Sequence, residues 1–450
     1  MTAISAIFWG LVVISLLVVL HEGGHFLAAR AFGVRVTEFF LGMPCKARIS
    51  RRSRKYGTEF GVTPILLGGY NRICGMEYLG NDRLGDVLAL VQRDGTTTAS
   101  KVADELGMSY DDAYDDLLTL TDWGSIARTK PSSKDEEGED VFSTLQRDAN
   151  LLTMYDKGHD FGSIGTTGAG EARPIDDAAA FCETERARTY EGRSWWQRIL
   201  LLLAGPAVNI ILAFALVIGS LMIVGVEVVS NTNVISGVDE GGLAYRAGLR
   251  GGDAIVEVAG TPTDTWQAIS DTLDAQFQAA EPFELVYERD GARHTVEIDL
   301  PSDGSVTAIG VYATTEWYHA SFPQAVMVAS SYVLMVAKTV AELIVPTHTV
   351  EIVSQSSSVV GISVMASQAA SAGAADFIQL LAAVSLSLGF MNLLPIPPLD
   401  GGKILIEVVQ AVRRKRLSLR AQSIISYVGL GFFLFIFVFA LFNDVTRIIG

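Results

Sequence analysis

The sequence predicts a polytopic α-helical membrane protein with four transmembrane helices and soluble domains between them. Three observations carry that expectation. Hydrophobic residues make up 49% of the 450-residue chain. Apolar runs lie near 4–31, 199–226, 377–398 and 421–442, each long enough to cross a hydrocarbon core of about 30 Å. Basic clusters, RRSRK at 51–55 and RRKR at 413–416, follow the first and third runs, and basic loops stay in the cytoplasm. Together they exclude a soluble globule and set an orientation in the inner or cytoplasmic membrane. Both termini and residues 231–302 then lie outside the cytoplasm, and residues 77–193 lie inside it.

Residues 1–76 hold the first run and the segment after it. The run is too long and too little broken for a signal peptide, and no small-residue cleavage site follows, so a retained transmembrane helix is expected. It contains VVLHEGGHFLAAR at 18–30. Ionisable groups at that depth are costly and usually functional, because lipid offers no bulk water to solvate them. Residues four apart share a helix face, so His21 and His25 can present both imidazoles to one ion. Glu22 can reach a water without binding the ion itself. This is the HExxH pattern of zinc metalloproteases, with the glutamate as general base. A catalytic zinc takes three protein ligands and keeps one open position, so a third ligand must come from elsewhere. His159, His294, His319 and His348 lie in polar or extramembrane segments. Asp400, in MNLLPIPPLDGGK at 391–403, is the better candidate. Pro395, Pro397 and Pro398 break the third apolar helix, and Gly401 and Gly402 permit an unusual turn. Unwound backbone at membrane depth survives only where it lines a cavity or is buried in protein. Cys45, Cys74 and Cys182 are scattered and suggest neither a disulfide framework nor a thiolate metal site.

HEGGH in the first run, LLAGPAVNIILA (202–213) in the second and NLLPIPPLDGG (392–402) in the third resemble the site-2 protease family of intramembrane zinc metalloproteases. The resemblance covers most of the chain except about 77–193. It implies that His21, His25 and Asp400 hold one zinc, that Glu22 activates water, and that Asn392 helps hold the substrate backbone. Lys403 stands where family members often carry histidine, a position that is not a ligand in the family pattern. The implied substrates are single-span membrane proteins already cut outside the membrane, such as anti-sigma factors, or the remnants of signal peptides. A non-proteolytic transporter or scaffold, using the intramembrane charges for an ion path, remains open at this point.

The other elements follow in order. EFGVTPILLGGYNRICGM (59–76) is β-prone, with Gly68 and Gly69 at a bend and Tyr70 beside them; it resembles the family's membrane-reentrant β-loop. It suits a hairpin or sheet whose edge accepts an unwound substrate strand. In 194–230, Gly205 and Ala207 allow close helix approach, and Asn209 reads as a polar brace of the cavity that can reach substrate. Residues 231–302 alternate short strands and turns and look like one PDZ domain, with a hairpin turning at Asp290-Gly291. Its role is peptide binding by strand addition or exclusion of bulky ectodomains. Within 303–376, residues 320–345 are apolar but carry Lys338 and Glu342, and read as an amphipathic helix on the outer lipid surface followed by a connector. Residues 377–450 supply the third and fourth spans.

The block 77–193 holds 25 acidic and 12 basic residues, a net −13 within the chain's −16. Helical periodicity broken at Asp94-Gly95 and at Gly107 suggests a winged-helix-like unit over 84–128. KPSSKDEEGED and GSIGTTGAGEARPIDD read as low-complexity linker without fixed structure. The third helix of the unit starts SYDDAYDD (109–116), and four aspartates facing a phosphate backbone would repel it. A cytoplasmic protein partner is therefore expected, and no nucleic acid.

Overall fold

Helix α1 (Ala3–Ala31) opens the chain in the computed structural model, which describes residues 3–76, 83–130, 138–279, 281–300, 307–343, 358–415, 417 and 419–449. The chain divides into two units, one of residues 1–217 with 327–450 and one of residues 218–326. In the first unit α1 stays helical through Gly23 and Gly24. Gly24 is required for close approach: a Cβ there would sit 2.4 Å from the Ala204 carbonyl oxygen.

Strands β1 (Val36–Leu41), β2 (Ile49–Arg52), β3 (Glu59–Val62) and β4 (Gly69–Ile73) form one sheet in the order β2-β3-β1-β4. β1 runs parallel to β3 and antiparallel to β4, with Phe39 opposite Asn71, Phe40 opposite Tyr70 and Leu41 opposite Gly69. β4 is therefore an edge strand of this sheet. Its Ile73 packs with Phe26, Ala29, Val34 and Val36, and with Leu201 and Leu202 of the second long apolar helix. That shared apolar core fixes the sheet against α1.

The next segment holds α2 (Leu84–Asp94), β5 (Thr96–Thr97), α3 (Ala99–Leu106), α4 (Tyr110–Asp122), β6 (Ile126–Thr129) and β7 (Val141–Thr144). The strands pair in the order β5-β7-β6. Thr98 and Ser109 cap the two later helices by accepting the N–H groups of Lys101 and Asp112. The acidic face differs from the sequence expectation: Asp111, Asp112 and Asp115 are exposed, but Asp116 is fully buried.

The expectation of an unstructured linker after this unit needs correction. Residues 131–137, which hold most of KPSSKDEEGED, lie outside the described residues, as do 354–357 of the expected connector. Residues 138–193, however, are folded. They include α5 (Ala178–Arg186), whose Phe181 joins the core formed by Val87, Leu117, Trp123 and Phe142. Polar groups supply the rest of the order. Arg35 is fully buried and donates to Asp156 at 2.6 and 2.7 Å and to Glu185 at 2.8 Å. Arg147, also fully buried, donates to both Glu185 oxygens at 3.0 and 3.1 Å. Burial alone would raise the Glu185 carboxyl; the guanidinium groups of Arg35 and Arg147 more than reverse this and hold it below the usual carboxylate range. A polar, glycine-rich stretch shows no apolar period, so this ordering through charge is invisible to pattern reading.

Helix α6 (Trp195–Gly219) continues into a π-helical turn, Ser220–Val224. The second unit then runs through β8 (Val226–Val229), β9 (Ile235–Val238), α7 (Leu243–Arg246), β10 (Ala254–Val258), β11 (Thr261–Pro262), α8 (Trp266–Ala279), β12 (Phe283–Arg289), β13 (Ala292–Ile298), β14 (Val311–Ala313) and β15 (Thr315–Tyr318). One sheet has the order β11-β10-β12-β13, while β14 pairs β9 and β15 pairs β8. Ile235, Leu249, Ile255, Ile269 and Leu285 form its core. The domain therefore extends past the expected boundary at 302, because its closing strands are only three and four residues long.

Back in the first unit come α9 (Phe322–Glu342), α10 (Val359–Ala372), α11 (Ala374–Asn392), α12 (Asp400–Arg413) and α13 (Leu419–Ile449). Among the described residues five helices are long and apolar enough to cross a membrane: α1, α6 with its π-helical turn, α9, α11 and α13. The chain is a polytopic membrane protein. By length and composition α9 joins the four expected runs instead of standing apart from them. The expected connector also contains α10, a 14-residue helix. Its Ala366 packs with Val13 and Leu17 of α1. The third apolar run is shorter than expected: α11 ends at Asn392 and helix resumes only at Asp400, since prolines 395, 397 and 398 cannot continue the ladder.

Candidate metal centre

Two elements distant in sequence supply the polar cluster. α1 presents His21 and His25 from adjacent turns, and Asp400 enters as the first residue of α12. The His21 Nε2 and His25 Nε2 atoms each lie 3.1 Å from Asp400 Oδ2 and 3.3 Å from one another. One ligand atom from each residue falls within a 4.8 Å group. Zinc bonds of about 2.0–2.2 Å in tetrahedral geometry place donors roughly 3.3 Å apart, so the donor set fits that ion in type and spacing.

Helix α6 stands behind the two histidine rings. His25 Nδ1 donates to the Leu201 carbonyl oxygen at 2.9 Å, which leaves its Nε2 as the free lone pair. Gly205 makes room for this ring: a Cβ there would lie 2.3 Å from His25 Nε2.

Glu22 lines a cavity of about 300 Å³ together with both histidines, Asp400, Asn392 and Lys403. Gly69, Tyr70 and Asn71 of β4 line the same cavity, so the edge strand borders the cluster. Asn71 is a further residue of this cavity, and its side-chain amide donates to the Glu22 carbonyl oxygen at 3.2 Å. No motif marks it, because its place depends on how the sheet docks on α1.

Other expected site residues fall less directly. Gly68 is not part of the cavity lining. The Tyr70 hydroxyl donates to Glu38 at 2.9 Å and its ring stacks on Phe40, so the ring is held within the sheet. Asn392 donates to the Leu388 carbonyl of its own helix at 3.0 Å while bordering the cavity. Asn209 is fully buried and absent from the lining, which corrects its expected contact with substrate. Its amide nitrogen lies 3.5 Å from His21 Nδ1.

A polytopic membrane chain with an HExxH helix, a carboxylate oxygen within ligand distance of both histidines and a neighbouring glutamate fits the class of membrane metallohydrolases. Sequence comparison carries the assignment further. The model of peptidase family M50 matches residues 9–436. The chain belongs to that family, the site-2 proteases; it is a site-2-type metalloprotease rather than a transporter or scaffold, and the family's metal is zinc. It is 28% identical to protein LL2128 of Lactococcus lactis over 97% of both chains. It is 26% identical to "Probable protease eep" of Enterococcus faecalis over 97% of this chain and 98% of that one. It is 25% identical to "Zinc metalloprotease RasP" of Bacillus licheniformis over 96% of both.

Proposed function

We propose that the protein hydrolyses peptide bonds inside the transmembrane segments of single-span membrane proteins, with His21, His25 and Asp400 holding zinc and Glu22 as general base. The observation that carries this reading is the convergence of two Nε2 atoms and one carboxylate oxygen beside Glu22 in one cavity. Zinc, when bound, supplies a Lewis acid that acidifies water and polarises the scissile carbonyl. The Glu22 carboxylate takes the proton of the attacking water on a side-chain oxygen and returns it to the departing amide nitrogen.

Substrate helices shield their amides by internal hydrogen bonds, so they must unwind before attack. The half-buried outer edge of β4 at Gly69–Asn71 offers backbone partners to the unwound strand. The Asn392 amide, having donated to Leu388, keeps its oxygen to accept a substrate N–H. Anti-sigma factors and signal-peptide remnants are the substrate classes that suit such a site.

Four helices span the membrane in this reading, α1, α6, α11 and α13, and α9 lies along the outer surface with Lys338 and Glu342 in the headgroups. A fifth span would carry RRKR outside, against the retention of basic loops in the cytoplasm. Both termini then lie outside. Residues 231–302, with the closing strands β14 and β15, make a single extracytoplasmic PDZ domain that excludes bulky ectodomains. Residues 84–128 are a cytoplasmic winged-helix-like unit whose exposed Asp111, Asp112 and Asp115 repel nucleic acid and suit a protein partner.

The test separates ligand from base. Glu22→Gln keeps about one zinc per chain and loses cleavage of a single-span reporter, while His21→Ala, His25→Ala or Asp400→Ala loses both. Full zinc and full turnover in Asp400→Ala would refute the ligand set.

A further inference from the structure

The two histidines of α1 have separate stations on α6. The ring of His25 rests over Gly205 and that of His21 faces Asn209, so four residues separate the partners on each helix. A neutral imidazole that offers Nε2 to an ion carries its proton on Nδ1, and that proton needs an acceptor. For His25 the acceptor is the Leu201 carbonyl. For His21 the group facing Nδ1 is the Asn209 side-chain amide, 3.5 Å away by its nitrogen. An N–H facing an N–H makes no bond. The Asn209 amide oxygen is meanwhile buried without a hydrogen-bond partner. A half-turn of the amide exchanges the two atoms, whose assignment follows the hydrogen-bond network. The backbone is held in place from the other side, since Ser385 Oγ donates to the Asn209 carbonyl at 2.8 Å.

We propose that Asn209 is a positioning residue whose amide oxygen accepts the Nδ1 proton of His21 and holds the ring in the tautomer that turns the Nε2 lone pair toward Asp400 and the metal. This rests on the ligand set proposed above. α6 thereby orients both ligands of HEGGH, one through a backbone carbonyl and one through a side chain.

The experiment measures zinc affinity by chelator competition in the full-length protein in detergent. Asn209→Leu, of the same branching but without an acceptor, is expected to weaken zinc about 10- to 100-fold. Asn209→Asp, which keeps an oxygen there, restores the wild-type affinity or exceeds it. Should the leucine variant fail to accumulate, Asn209→Ala takes its place in the same comparison. Wild-type affinity in the leucine or alanine variant overturns the proposal, as does an aspartate variant as weak as the leucine one. If His21→Ala alone leaves zinc affinity unchanged, the ligand set fails instead, and with it the basis of the Asn209 role.

Discussion

Removing Glu185 should open the segment 138–193 while leaving the transmembrane helices closed. Its carboxylate is shared by Arg35 and Arg147, all three being fully buried. In Glu185→Ala, Arg35 keeps Asp156 at 2.6 Å and the Trp123 and Gly124 carbonyls. Arg147 keeps only the carbonyl oxygens of Leu151 and Ser125 among its acceptors. A buried charge stripped of its partner costs about 3–5 kcal/mol, or roughly two to three and a half powers of ten in a local opening constant. Glu185→Gln keeps the volume and an acceptor and should cost about 2 kcal/mol, since charge-assisted bonds weaken to neutral ones. Hydrogen exchange read by mass spectrometry on the full-length protein in detergent measures both. Amides of β7 and α5 should lose protection by these factors while α1 keeps its own. Exchange within threefold of wild type in β7 and α5 for Glu185→Ala would refute the reasoning, as would equal deprotection of α1. The pH dependence has a definite sign. Glu185 is held below its unfolded value of about 4.3, so its contribution is full above that pH and declines as pH falls toward the lower folded value. Protection of β7 should therefore be flat from neutral pH to about pH 5 and fall only in stronger acid.

Gly205→Ala should displace the His25 ring and weaken zinc by about tenfold or more in chelator competition, whereas Gly23→Ala, with nothing within 4 Å of its added Cβ, serves as the neutral control. Replacing 230–314 by a short glycine linker should let untrimmed substrates be cut while trimmed ones are cut as before. The ends of that excision already meet, Ser230 donating to the Thr314 carbonyl at 2.8 Å, and loss of both cleavages on a gel assay would point to docking by the domain. The full-length protein should show no salt-sensitive binding to duplex DNA; micromolar affinity at physiological salt would overturn the assignment of the acidic unit to a protein partner.

The readable part of this protein is the part governed by local periodicity and solvent. A run of apolar residues must find lipid or a core, so the long helices were legible one residue at a time. The pairing of His21 with His25 is likewise a property of one helix, and the prolines before Asp400 stop a helix wherever they occur. What pattern could not supply depends on how separate helices and strands meet. The order of 138–193 rests on Arg35, more than a hundred residues away in sequence, meeting Asp156 and Glu185. Asn71 reaches the candidate site only because β4 docks on α1. Asn209, expected at the substrate, is instead enclosed beside His21 because α6 crosses α1 through Gly24 and Gly205. Such contacts are set by helix crossing and strand register, in which a shift of one residue exchanges buried and open faces. The sequence can name the candidate ligands; the packing of α6 against α1 decides how the two histidine rings face Asp400.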